Sequence, residues 1–164
     1  MKALLPRLQT PSGSVILKSE VEDDLVVIFA IWANRTIGRL TGLLDNSLSA
    51  HLQDMEVEDS MPIKRGLSDR ISGRTRTQSF RGKGIGWSLL TAFITICQDR
   101  GVTQVIGAVV QHDLDATPGL LDWYARQGFY KRTPCESPSL AGCRPPNTVW
   151  EVVLNLNGVP NGTK

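Results

Sequence analysis

Two stretches decide how the chain is read: Arg81-Gly-Lys-Gly-Ile-Gly86 and, further along, Tyr124-Ala-Arg-Gln-Gly-Phe129. Beyond Gly84 the apolar residues Ile85, Leu89, Phe93 and Ile96/Cys97 recur at three- and four-residue spacing, and Arg100-Gly101 supplies a cation and a glycine where the run stops. That spacing predicts a long helix opening at Gly84. Glycines at its start let a ligand approach the main chain. The first-turn N–H groups have no partner within the helix, so with the helix dipole they form an anion site suited to phosphate. Two familiar phosphate-binding patterns fail. Gly82-Lys83 is followed by Gly84 where a P-loop needs Ser or Thr, and Trp87 stands where a dinucleotide fingerprint needs its third glycine. What remains is Arg-x-x-Gly-x-Gly.

After this helix, Val105-Ile-Gly-Ala-Val-Val110 is a continuous apolar run, the pattern of a strand buried on both faces. Thr117-Pro118 is read as the N-cap and first residue of a second helix that carries Leu120, Leu121 and Tyr124 and stops at Gly128. Phe129–Arg132 and Thr148–Leu156 are the last expected strands. Upstream, Ser14–Lys18, Leu25–Ala33, Ile37–Leu44 and Leu48–Val57 read as an antiparallel meander, with Asn34-Arg35 as a turn. In the last of these, Leu48 and Leu52 fall on one face and Met55 and Val57 on the other, which a bulge near Gln53-Asp54 would reconcile. The expected order is β-β-β-β-loop-α-β-α-β-β. The fourth and fifth strands should be parallel neighbours joined by a helical crossover.

At 164 residues the chain is expected to be one domain, 1–164. Its 41% hydrophobic and 21% charged content is that of a globular mixture, not of a disordered chain or a disulfide scaffold. The longest apolar run, Leu25–Ala33, falls far short of the roughly 20 residues of a membrane helix. Met1–Leu8, broken by Pro6, does not read as a secretory signal, so the expected location is cytoplasmic and Cys97, Cys135 and Cys143 are read as free thiols. No spacing of His and Cys suggests a metal site. Net charge is only +2, but it is unevenly spread. Lys64, Arg65, Arg70, Arg74, Arg76, Arg81 and Lys83 face a single acid, Asp69, whereas Asp45–Asp59 contains no Lys or Arg. Residues 61–80 lack periodicity and read as a basic inserted loop, and 1–13 and 157–164 read as loose ends.

The glycine-rich helix start, the following strand and Tyr-x-x-x-Gly-Phe, in this order, resemble the GNAT superfamily of N-acetyltransferases. Leu52-x-x-Met55-x-Val57-x-Asp59 is also similar to the strand that precedes the pyrophosphate loop of that family. The resemblance spans roughly Leu48 to Arg132. It implies an α+β fold with a mixed sheet whose two central parallel strands splay apart, with acetyl-CoA as cosubstrate in the gap. Its pyrophosphate would sit on Arg81, Gly82, Lys83, Gly84, Ile85 and Gly86, and its pantetheine would run along Met55 to Val57. The implied reaction is direct acetyl transfer to the amine of a peptide, a protein or a small molecule. Tyr124 matches the family's tyrosine, the acid for the leaving thiolate. Glu56, His51 and Asp54, on the strand beside the acceptor, are the candidates for the base, with a water chain as a further route. His112-Asp113, just past the buried strand, could also face the acceptor pocket, but is read as a turn pair.

Two departures follow from the same comparison. The family's two helices between its first and second strands have no room between Lys18 and Leu25, which leaves an acceptor face that is open or completed by a second copy, as in a homodimer. The segment from Glu58 to Phe80 is also far longer than the family's connection. The competing expectation is a module on the same fold that binds CoA or nucleic acid without turnover. Nucleic acid is the weaker prospect, because Phe80 is the loop's one aromatic residue.

Overall fold

The computed structural model describes residues 2–10, 13–45, 48–62, 77–80, 82–134, 145 and 147–156. The strands are β1 (Lys2–Thr10), β2 (Gly13–Glu22), β3 (Leu25–Trp32), β4 (Arg35–Leu44), β5 (Ser49–Val57), β6 (Ser60–Pro62), β7 (Thr77–Ser79), β8 (Gln104–Val110), β9 (Tyr130–Arg132) and β10 (Thr148–Asn155). The helices are α1 (Ile85–Asp99), α2 (Gln111–Ala116) and α3 (Leu120–Arg126). Eight strands form one mixed sheet in the order β1-β2-β3-β4-β5-β8-β10-β9, and β6 pairs with β7 in a separate ribbon. The one parallel pair among the described strands is β5 with β8, as the crossover through α1 requires.

Alternation along β2, β3 and β4 makes one face of the sheet apolar: Val15, Leu17, Val26, Ile28, Ala30 and Leu40 are buried there. α1 lies on that face with Ile85, Leu89, Leu90 and Phe93 inward. Close approach is set by two glycines of β4. A Cβ on Gly38 would lie 3.2 Å from Leu89, and one on Gly42 would collide with the Phe93 ring. The expected bulge is present at Gln53. Leu52 opposes Gly42 but Asp54 opposes Thr41, leaving one extra residue on β5. The odd residue turns Met55 and Val57 toward α1, on the same face as Leu52, and leaves Asp54 and Glu56 on the far face beside Arg39.

Several expectations shift. Residues 1–13 were expected to be loose, yet Lys2–Thr10 is the edge strand β1, paired with β2. Pro6 hides it in the sequence, and the register slips between Leu4 and Arg7, the kind of edge irregularity where proline is tolerated. The expected loop at 61–80 opens and closes in the β6–β7 ribbon, whose Phe80 is buried edge-on against Trp32 at 5.3 Å. Residues 63–76 and 157–164, together with Cys135 and Cys143, lie outside the described residues. The two-residue turn after β3 is Ala33-Asn34, both at positive φ, one residue earlier than expected. Leu48 precedes β5, at φ 63, and is exposed. The expected second helix starts two residues late, with Gly119 at φ 86 as its N-cap, because a short helix, α2, occupies the chain up to Ala116. His112 and Asp113 are therefore in the first turn of α2 and not in a turn pair. β2 and β3 are joined by Asp23-Asp24 alone, so the helix pair is missing as expected. No described helix is long and apolar enough to cross a membrane.

Candidate active site

The parallel pairing of β5 and β8 stops early. Ser49–Leu52 pair with Gln104–Gly107, but β5 runs on to Val57 along β4 and β8 runs on to Val110 along β10. Beyond Leu52 and Gly107 the two strands part, and β5 presents main-chain groups from Met55 to Val57 with no neighbouring strand on that edge. The opening holds a cavity of about 220 Å³ bordered by Met55, Ala108, His112 and Tyr124. On one side it continues into a groove of about 460 Å³ whose walls include Val57, Lys83, Gly84, Trp87, Trp123 and Arg126. On the other it adjoins a cavity of about 660 Å³ bordered by Arg39, Glu56, Glu58 and Asp59. Met55 and Thr117 border all three, so the three spaces meet there.

The groove ends on the start of α1. Gly84 is its N-cap at φ 75, no side chain caps the helix, and its first turn carries no acid. Gly82 is also at positive φ, and a Cβ on either glycine would meet nothing within 4 Å. The first-turn amides are thus open to an anion from the groove, whose walls carry the cations Lys83 and Arg126 and, further along, the acids Glu58 and Asp59. These residues fit a pyrophosphate. Gly86 faces the same space, where a Cβ would approach Val57 at 3.9 Å and Trp123 at 4.0 Å. Arg81 lies outside the described residues.

Tyr124 borders the gap from α3, its ring held edge-on between Trp123 at 5.0 Å and Phe129 at 5.3 Å. Burial, with the nearby Asp113 carboxylate adding to it, pushes the phenol up to about 12. It therefore carries its proton throughout the neutral range. The groups named as bases are scattered. Glu56 has an exposed side chain and sits 3.8 Å from Arg39, which also holds Asp54 at 3.1 Å. His51 comes before the splay, on the face turned from α1, and borders none of the three cavities. Its Nε2 is buried without a hydrogen bond, 4.0 Å from Asp45 Oδ2. Burial lowers the imidazole's pKa, against the pull of Asp45 and Glu151. Cys97 is sealed under α1, its thiol pushed up to about 12 by burial. Among the described residues no His, Cys, Asp and Glu gather as a metal site.

Sequence reading missed Trp87, Trp123 and Arg126. The last two flank Tyr124 within one helical turn, a signal available only once α3 is known to face the groove.

Comparison with solved structures decides the fold. A GNAT acetyltransferase from Staphylococcus aureus Mu50 superposes with a TM-score of 0.58 at 17% identity, over 81% of this chain and 68% of that one. The chain has the fold of the GNAT N-acetyltransferases. The PaiA N-acetyltransferase of Thermoplasma acidophilum, solved with coenzyme A, matches with a TM-score of 0.53 at 13% identity, over 80% of this chain and 61% of that one. A GNAT acetyltransferase from Elizabethkingia anophelis with acetyl-CoA bound matches at 0.52 and 14% identity, over 81% of this chain and 77% of that one. The chain thus spans less than two thirds of the Thermoplasma enzyme. No protein-family model and no curated protein sequence matches the chain. Acyl-CoA binding is a property of this fold in those two neighbours.

Two outcomes are expected. In Gly86→Leu the new side chain enters the groove between Val57 and Trp123, so calorimetry should show coenzyme A binding weakened by about tenfold or more, about 1.4 kcal/mol, at an unchanged melting temperature. Undiminished affinity would contradict the groove assignment. His51 stays neutral in the folded chain while the unfolded chain protonates it below about pH 6.5, so stability should fall as pH drops through that value. Urea midpoints at pH 7.5 and 5.5 should differ less in His51→Leu than in the wild type. An equal difference would contradict the burial argument.

Proposed function

We propose that the protein is an acetyl-CoA-dependent N-acetyltransferase that passes the acetyl group directly to a cationic amine of a small molecule or a peptide. The observation that carries this is the continuity of three spaces at Met55 and Thr117: an anion-accepting groove, a gap with a protonated phenol on its wall, and an acidic cavity. The neighbours solved with coenzyme A and acetyl-CoA support it at the level of the fold.

Each part has a physical task. The diphosphate of acetyl-CoA rests on the amides of Gly84, Ile85 and Gly86, assisted by Lys83 and, at the groove's mouth, Arg126. The pantetheine lies along the free edge of β5 from Met55 to Val57 and accepts and donates hydrogen bonds as a further strand would. This brings the thioester to the gap beside Tyr124. The leaving thiolate, with a pKa near 8.5 if it resembles a cysteine thiol, takes the phenolic proton as the carbon–sulfur bond breaks. The acceptor enters from the far face of the sheet, where the missing helix pair leaves the site open. Three carboxylates, Glu56, Glu58 and Asp59, border that cavity against the single cation Arg39, which favours an acceptor carrying positive charge at neutral pH. An alkylamine, with a pKa near 10.4, is such a molecule.

The test is thiol release from acetyl-CoA in the presence of spermidine, a lysine-containing peptide and an uncharged aromatic amine. Transfer to the cationic acceptors, with Tyr124→Phe lowering kcat by about a hundredfold at unchanged coenzyme A affinity, is the expected outcome. Absence of transfer to any amine would refute the function, and an unchanged rate in Tyr124→Phe would remove the phenol's role.

A further inference from the structure

A protonated amine cannot attack the thioester until it loses a proton, and the three groups weighed from the sequence are poorly placed to take it. His51 is buried before the splay and borders none of the three cavities. Asp54 and Glu56 share the Arg39 guanidinium at 3.1 and 3.8 Å, which occupies their oxygens with a cation already in place. A different group stands in the gap itself. His112 borders the same 220 Å³ space as Tyr124, on the wall formed where β8 gives way to α2. Its backbone position is fixed from both sides. Asp113 Oδ2 accepts the Val110 N–H at 3.2 Å, which ties the first turn of α2 to the end of β8, and within the helix Gln111 Nε2 donates to Asp115 Oδ1 at 2.9 Å. His112 itself remains exposed.

We propose that His112 is the catalytic base that takes the proton from the acceptor amine. This rests on the acetyltransferase function proposed above. The ammonium gives one proton to the imidazole. The freed nitrogen lone pair forms the N–C bond with the thioester carbonyl carbon as the C–S bond breaks, and the departing thiolate takes the proton of Tyr124. The second proton on the new amide nitrogen returns to the tyrosinate, and His112 releases its proton to solvent. The products are an acetamide, a free thiol and one proton. The charged or titratable groups facing His112 across the gap are Asp54 of β5, Asp113 of its own helix and Tyr124 of α3. Histidine suits the task because an imidazole changes charge close to neutral pH, so it is an available acceptor where a phenol is not.

The experiment measures kcat/KM for acetyl transfer to spermidine from pH 5.5 to 9.5 in the wild type, His112→Gln, His112→Ala and Glu56→Gln, with coenzyme A affinity measured alongside. His112→Gln is expected to lose about 10²–10⁴-fold at pH 7, and its rising limb to move up to the titration of the amine itself, at unchanged coenzyme A affinity. Added imidazole should restore part of the rate to His112→Ala, which a purely structural role would not produce. Wild-type transfer with an unaltered profile in His112→Gln would overturn the assignment, as would loss of the limb in Glu56→Gln instead. Wild-type protein that transfers acetyl to no amine would overturn the underlying function, and this assignment with it.

Discussion

The separation of β5 from β8 after Leu52 and Gly107 is the constraint on which the site depends. Strands in a sheet hold one another through paired main-chain groups, and an interior strand that loses its neighbour must satisfy them some other way. Here β5 is held by β4 and β8 by β10, so each strand continues as the edge of its own half-sheet. The edge of β5 from Met55 onward is then available to an extended ligand. The bulge at Gln53 sits at the point of separation. It turns Met55 and Val57 to the face that carries α1 and sends Asp54 and Glu56 to the opposite one. In the proposed function, this one extra residue divides β5 into a cofactor side and an acceptor side.

Electrostatics follow that division in part. The groove meets an uncapped helix start with no acid in its first turn and with Lys83 and Arg126 on its walls. The cavity beyond Met55 is bordered by Glu56, Glu58 and Asp59, of which Glu58 and Asp59 also border the groove, so Glu56 is the carboxylate of the three that belongs to the cavity alone. The burial of Tyr124 among Trp123 and Phe129 keeps the phenol protonated, so what borders the gap is a proton donor and not a phenolate.

The parts of this arrangement legible in the sequence were those fixed by local chemistry. The glycines before Ile85 and the apolar spacing after it specified the helix and its open start. The conflict of faces between Leu52 and Met55 demanded the bulge, and the short Lys18–Leu25 interval excluded a helix pair. What stayed hidden depended on tertiary context. β1 carries a proline that only its edge position tolerates. α2 has six residues and no buried side chain, so it leaves no periodic signal. His51 looked suitable as a base by residue type, but its position before the bulge turns it away from the gap, and no local pattern reports that. His112 was set aside in favour of a turn pair, and the short helix that places it on the gap depends on where β8 ends.

The most direct measurement is an amide chemical-shift map of the ¹⁵N-labelled protein titrated with coenzyme A. The diphosphate should perturb Gly82 to Trp87 most strongly, with a second set of shifts along Met55 to Val57 where the pantetheine meets the free strand edge. Saturable binding whose largest shifts lie elsewhere, or no shifts at the start of α1, would contradict a site built on the parting of β5 and β8.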